Sequence, residues 1–195
     1  MKIIISASNA FAKWLKLDLP RIQSTDGKKI GTQSLITDSD SMSWQCHVIR
    51  KHSRSVKATV IAIEANSRYA IIMPYSFTPS QETFETDLSR LWANQMVYLM
   101  IDSGAIFESD VTCVFAQFKS KEKYFDWVKN TDLSVNGHVS DTEQWVVQSF
   151  EQYGIKHFDE KEAFGLGLHI NKMFKKAKSP LGIKERFYPV ARFFI

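Results

Sequence analysis

Two clusters of basic residues have side chains and spacing that could do chemistry. The first cluster consists of Arg50, Lys51, His52, Arg54 and Lys57. No acidic residue occurs between Asp40 and Glu64 to neutralise these cations. Lysine and arginine grouped in this way contact the phosphate groups of a polyanion, and such contacts need no strict spacing. The first cluster therefore predicts a phosphate-contacting surface at the tip of a hairpin.

The second cluster lies near the end of the chain and consists of Lys172, Lys175, Lys176 and Lys178. The first three have the spacing of one helical face, which predicts a basic helix. Together the clusters favour a non-enzymatic protein that binds a protein partner or a polyanion such as nucleic acid. The alternative is that both clusters are solvated surface, or that the acidic middle of the chain neutralises them.

A histidine-dependent, nuclease-like enzyme acting on RNA is the second function that the sequence allows. Such chemistry needs a general base, a general acid and a cation for the phosphate. His52 lies between Lys51 and Arg54, and His47 could supply the second imidazole. An exposed hairpin tip excludes water poorly and fixes two groups poorly, which counts against this function.

Other chemistries find less support in the sequence. Gly165 and Gly167 give two of the three glycines of a dinucleotide-binding loop, but Ile170 occupies the third position. Neither a Cys-x-x-Cys nor a His-Glu-x-x-His motif occurs, so we predict no metal and no cofactor. Cys46 and Cys113 lie in strand-like runs and are expected to pack as small apolar side chains. The remaining candidate bases are His138, His157 and His169.

The composition is that of a globular protein with a strong segregation of charge. Of the 195 residues 44% are hydrophobic, and the formal net charge is +4. Residues 1–79 hold 11 basic and 5 acidic residues, residues 80–160 hold 6 and 14, and residues 161–195 hold 8 and 2. No apolar run reaches the ~20 residues of a membrane span. With only two cysteines, we expect a reduced, cytoplasmic protein.

The elements that must position the basic clusters follow from hydrophobic periodicity. Residues 1–6 read as a strand, and Ser8 caps a short helix. Residues 18–42 form a polar loop, and residues 43–75 form a β-meander whose first turn holds the first cluster. Thr78 and Pro79 start a helix that ends near Asp102.

The second half predicts a strand and three helices. The strand spans 111–118, and the helices span 120–127, 140–154 and 159–177. The apolar tail, residues 187–195, should dock on the body or on a sheet edge. The fold class predicted is α+β: an antiparallel β-meander covered by four or five helices in a single compact domain, as a monomer or weak homodimer.

Several short segments spread along the chain resemble a family of short bacterial proteins without an established activity. The matching segments are Lys2–Ile5, Ala12–Leu15, Trp44–Val48, Ser67–Ile72, Leu168–Lys172 and the pair Tyr188–Pro189. None of these segments is a specific motif. The resemblance implies a compact α+β domain and carries no mechanism.

Overall fold

The computed structural model describes residues 1–23, 30–50, 57–120, 123–178 and 184–193. Its strands are β1 (Lys2–Ala7), β2 (Ser41–Ile49), β3 (Ala58–Glu64), β4 (Ala70–Tyr75), β5 (Tyr124–Lys129), β6 (Lys175–Lys178) and β7 (Lys184–Phe187). Its α-helices are α1 (Asn9–Leu15), α2 (Gln81–Asp102), α3 (Val111–Ser120), α4 (Leu133–Gln152), α5 (Glu160–Asn171) and α6 (Pro189–Phe193). Ser80, and not Thr78, caps the start of α2.

The main sheet has five strands in the order β4-β3-β2-β1-β5. Strands β2, β3 and β4 form the predicted antiparallel meander. The α+β class is therefore confirmed, but the sheet is mixed and not antiparallel throughout, because β1 runs parallel to both β2 and β5. Residue alternation fixes which face of a strand is buried; it does not fix the direction of a distant partner strand.

Two predicted elements between residues 111 and 129 are reversed in type. Residues 111–120 form helix α3, where a strand was predicted, and residues 124–129 form strand β5, where a helix was predicted. Phe118 of α3 packs edge-on against Trp92, with ring centroids 5.0 Å apart. Trp127 of β5 lies between Phe11 and Phe84 in the core. These contacts are long-range, so local periodicity could not decide between the two element types.

Helices α4 and α5 differ from their predicted bounds at one end each. Asp132 caps α4, which therefore begins before the predicted Ser140. Asp159 and Glu162 form the predicted capping box at the start of α5. The helix ends at Asn171 instead of 177, because the Asn171 side chain bonds to the backbone N–H and C=O of Ala70 in β4. The chain beyond this anchor turns into strand β6.

The sheet is buried on both faces. On one face, α1 and α2 cover a core centred on Trp44 and Phe84, and Phe193 of α6 stacks on Tyr69 at 4.4 Å. This is the docking predicted for the tail. On the other face, α4 and α5 cover a second core around Ile61 and Ile72. None of the helices in the described part of the chain is long and apolar enough to cross a membrane.

Candidate polyanion interface

Strands β6 and β7 form a separate two-stranded hairpin whose register places basic residues opposite one another. Lys176 pairs with Arg186, and the position of Lys178 pairs with that of Lys184. Residues directly opposite on an antiparallel pair point to the same face of the hairpin. The hairpin therefore has one face with four basic positions and no acidic residue.

The burial pattern shows that this basic face points outward. Lys176, Lys184 and Arg186 are exposed, whereas Lys175 is buried and Glu185 is half-buried. None of the three exposed cations forms an ion pair with another residue that the structure describes. We call Lys176, Lys184 and Arg186, together with the position of Lys178, the basic face.

Two aromatic rings extend the basic face toward the body of the protein. Phe174 precedes β6, and Tyr188 follows β7, so the two continue the alternation by one further cross-strand pair. Their rings stack with centroids 4.0 Å apart. Phe174 is 63% exposed and Tyr188 is 43% exposed. The outward face thus consists of an aromatic pair followed by basic positions.

The inner face of the hairpin holds its single acidic residue in an ion pair. Glu185 accepts a hydrogen bond from Arg192 of α6 at 3.1 Å. The Arg192 guanidinium also lies 4.3 Å from the centre of the Phe187 ring. Because Glu185 points inward and is paired with Arg192, it does not offset the charge of the basic face.

The structure separates the residues of the second predicted cluster. The predicted basic helix is wrong, since α5 ends before these lysines and Lys175–Lys178 form a strand. Lys172 is the C-cap of α5 and forms an ion pair with Asp102 at 3.0 Å. Burial lowers the pKa of Lys175. Of the described side chains in this cluster, that of Lys176 is exposed, faces outward and forms no ion pair with a described residue.

The first predicted cluster lies at the other end of β3. Arg50 follows β2 and Lys57 precedes β3, and both are exposed. Lys51, His52 and Arg54 lie outside the described residues. The β6–β7 hairpin follows α5, whose Asn171 bonds to Ala70. Ala70 lies beside the opposite end of β3. The seven residues of β3 span about 20 Å. The described parts of the two clusters therefore do not converge on one site.

Several other candidate residues have structural surroundings, but the packing expected of Cys113 is wrong, because this residue is exposed on helix α3. His47 is half-buried and shares a 2.9 Å hydrogen bond with Ser8, which caps α1. Burial lowers the pKa of His47 and raises the pKa of the Cys46 thiol. Gly167 is buried, and a Cβ there would lie 3.2 Å from Gln95, so this glycine permits close packing of α5. The described residues contain no group of three acids, histidines or cysteines that could hold a metal ion.

Four residues of the interface were not singled out in the sequence as binding residues: Phe174, Lys184, Arg186 and Tyr188. Their signal was a period of two on each side of the turn sequence Pro180-Leu181-Gly182. Lys172, Lys175 and Lys176 also fit a helical spacing, which predicts a helix where the structure has a strand.

Comparison with known proteins gives no family. No protein-family model matches this chain, and no curated protein matches it. The resemblance to short bacterial proteins described above stays a prediction, and the function must be inferred from the residues themselves.

Proposed function

We propose that this protein binds single-stranded nucleic acid through the outward face of the β6–β7 hairpin. The observation that carries the proposal is the direct pairing of Lys176 with Arg186, next to the exposed aromatic pair of Phe174 and Tyr188. The cations would contact phosphates, and the rings would stack with bases.

The paired cations support a polyanionic ligand. Like charges directly opposite one another destabilise an antiparallel pair. In the register of this hairpin Lys176 lies directly opposite Arg186. A phosphate backbone bound to this face would remove the repulsion and release condensed counterions.

The aromatic pair favours nucleic acid over other polyanions. Surfaces that bind single strands combine a basic track with aromatic side chains that stack on bases, and they need no specific base sequence. Phe174 is among the large apolar residues with the most exposed side chains, whereas residues on the preceding helix α5 are buried in the core. Bases in a duplex are already stacked, so the rings would contribute to single-strand binding alone.

The experiment measures fluorescence anisotropy of labelled single-stranded RNA, single-stranded DNA and duplex DNA with the full chain. The test variant carries Lys176→Gln and Arg186→Gln. The control variant carries Lys13→Gln and Lys161→Gln, which make the same change in charge at exposed positions on α1 and α5. We expect the test variant to bind single strands at least ~10-fold more weakly and the control to bind like the wild type.

The same samples, run on a gel, distinguish binding from cleavage. Intact probe with binding that depends on the basic face supports the proposal. Equal weakening in both variants would show nonspecific attraction and overturn it. Degraded RNA would instead favour the histidine-dependent enzyme, whose candidates are His52 and His47.

A further inference from the structure

A groove of about 470 Å³ lies between the second half of α4 and the facing side of α5. The two helices run in opposite directions, and Trp145 of α4 contacts His169 near the end of α5, with ring centroids 5.6 Å apart. Gly165 leaves one wall of the groove open, because a Cβ at this position would meet no neighbouring atom within 4 Å. We call this feature the α4–α5 groove. Its volume is in the range of sites that take a small ligand.

Two exposed aromatic side chains mark the ends of the α4–α5 groove. Trp145 is 37% exposed, and Tyr153, the C-cap residue of α4, is 67% exposed. Both line the groove, and they are eight residues apart, which corresponds to about 12 Å along the helix. The rings of tryptophan and tyrosine attract a cation that lies over their faces. The groove therefore offers a position for a cationic group near each end.

The charge of the groove also favours a cation. Glu162 lines it near Tyr153, and neither lysine nor arginine is among the described residues that line it. Oε2 of Glu162 accepts a hydrogen bond from the backbone N–H of Asp159, whereas Oε1 accepts none from a described residue. Residues 141–169, which surround the groove, contain six acidic residues and two lysines. This surface attracts cations and repels a phosphate.

Between the two ends, the groove combines free amides with apolar side chains. Gln148 and Gln152 are exposed, lie about one helical turn apart, and form no side-chain hydrogen bond with another described residue. Their amide oxygens can accept hydrogen bonds from an amine. Leu166 of α5 and the buried Phe158 supply apolar contacts. The middle of the groove thus suits methylene groups interrupted by an N–H donor.

We propose that the α4–α5 groove binds a linear aliphatic polyamine. One terminal ammonium group lies over Trp145, and the other lies between Tyr153 and Glu162. The methylene segments contact the apolar side chains, and an inner amine donates to Gln148 or Gln152. The site does not depend on nucleic-acid binding by the basic face, because the two surfaces share no residue.

The test is calorimetric titration of the full chain with spermidine, and with propylamine as a probe that has a single ammonium group. The first variant is Glu162→Gln, because glutamine also forms a capping box but removes the charge. Its control is Glu151→Gln, at an exposed acid of α4 that does not line the groove. The second variant is Gly165→Leu, which fills the groove. Its control is Gly137→Leu, at an exposed position of α4 where a Cβ also meets no neighbouring atom.

We expect the wild type to bind spermidine at least ~10-fold more tightly than propylamine, because only the polyamine reaches both ends of the groove. Glu162→Gln should weaken spermidine binding about 3- to 10-fold, and Gly165→Leu should abolish it. Both controls, and the variant of the basic face, should bind spermidine like the wild type. Equal weakening by Glu162→Gln and Glu151→Gln would show general attraction to an acidic surface and contradict the proposal. Equal affinity for the two amines, or no binding by the wild type, would also contradict it.

Discussion

At the scale of single residues, Phe174 is the side chain with which the proposed binding of nucleic acid can be tested against binding of any polyanion. Its exposed ring can stack on a base, whereas a polyanion without bases has nothing to stack on it. Replacement of Phe174 by Ala should weaken binding of single-stranded RNA by about 1–3 kcal/mol and leave heparin binding almost unchanged. Anisotropy titrations with both ligands measure this difference.

The control for Phe174 is Phe107, a phenylalanine with 77% exposure in the connection between α2 and α3. Phe107→Ala should bind RNA like the wild type. If Phe174→Ala also binds like the wild type, the ring takes no part in stacking and the ligand is selected by charge alone.

His138 provides a second prediction at the residue scale, on the dependence of stability on pH. Burial and the charges of Arg68 and Lys175 lower its pKa from 6.5 to about 4, against a smaller opposing effect of Asp141. The unfolded chain therefore takes up a proton before the folded protein does. Stability is lost as the pH falls from 6.5 toward 4, by at most about 1.4 kcal/mol for each pH unit.

The substitution His138→Gln should make this loss of stability shallower. Urea unfolding at pH 7, 6, 5 and 4 gives the free energy of unfolding for each protein. His157→Gln is the comparison: burial also lowers the pKa of His157, but the residue is less buried, so this substitution should make the loss shallower by a smaller amount. An identical pH profile for wild type and His138→Gln would show that His138 does not titrate as described.

At the scale of elements, the proposed function predicts that the β6–β7 hairpin exchanges stability for ligand binding. Lys176→Glu would place an acid opposite Arg186, and opposite charges in a cross-strand pair stabilise by about 0.2–1 kcal/mol. We expect the urea midpoint to rise and the affinity for single-stranded RNA to fall. Lys13→Glu makes the same change in charge on α1 and should do neither. A drop in stability together with unchanged RNA affinity would contradict the role of this pair.

The elements also show how far the sequence could predict the fold. Asp159 and Glu162 placed the start of α5, and the alternation of residues 43–75 placed the meander, because both signals are local. The end of α5 depends on Asn171 reaching Ala70, a residue 101 positions away. The identity of β6 depends on pairing with β7. The contact of Asn171 leaves no local pattern, and the alternation on each side of the turn competes with a helical spacing of the same lysines, so the lysines were predicted on a helix.

At the scale of the whole molecule, the charge segregation is neutralised in part. Lys2 pairs with Asp126 at 2.9 Å, and Lys172 pairs with Asp102, so each basic end forms an ion pair with the acidic middle. Such exposed pairs contribute little stability. Lys176, Lys184 and Arg186 of the basic face form no ion pair with another described residue, so much of the excess positive charge of the C-terminal segment lies there. The sequence predicted this excess, but only the register of the hairpin shows its position.

The most direct test of nucleic-acid binding by the basic face is the slope of log affinity against log salt for single-stranded RNA. Each phosphate contact contributes about −0.7 to this slope. The account predicts a steep slope for the wild type and the Lys13→Gln, Lys161→Gln control. It predicts a slope smaller in magnitude by about 1.4 for the protein with Lys176→Gln and Arg186→Gln, which loses two contacts. Equal slopes for all three proteins would contradict the account, because the phosphates would then bind elsewhere.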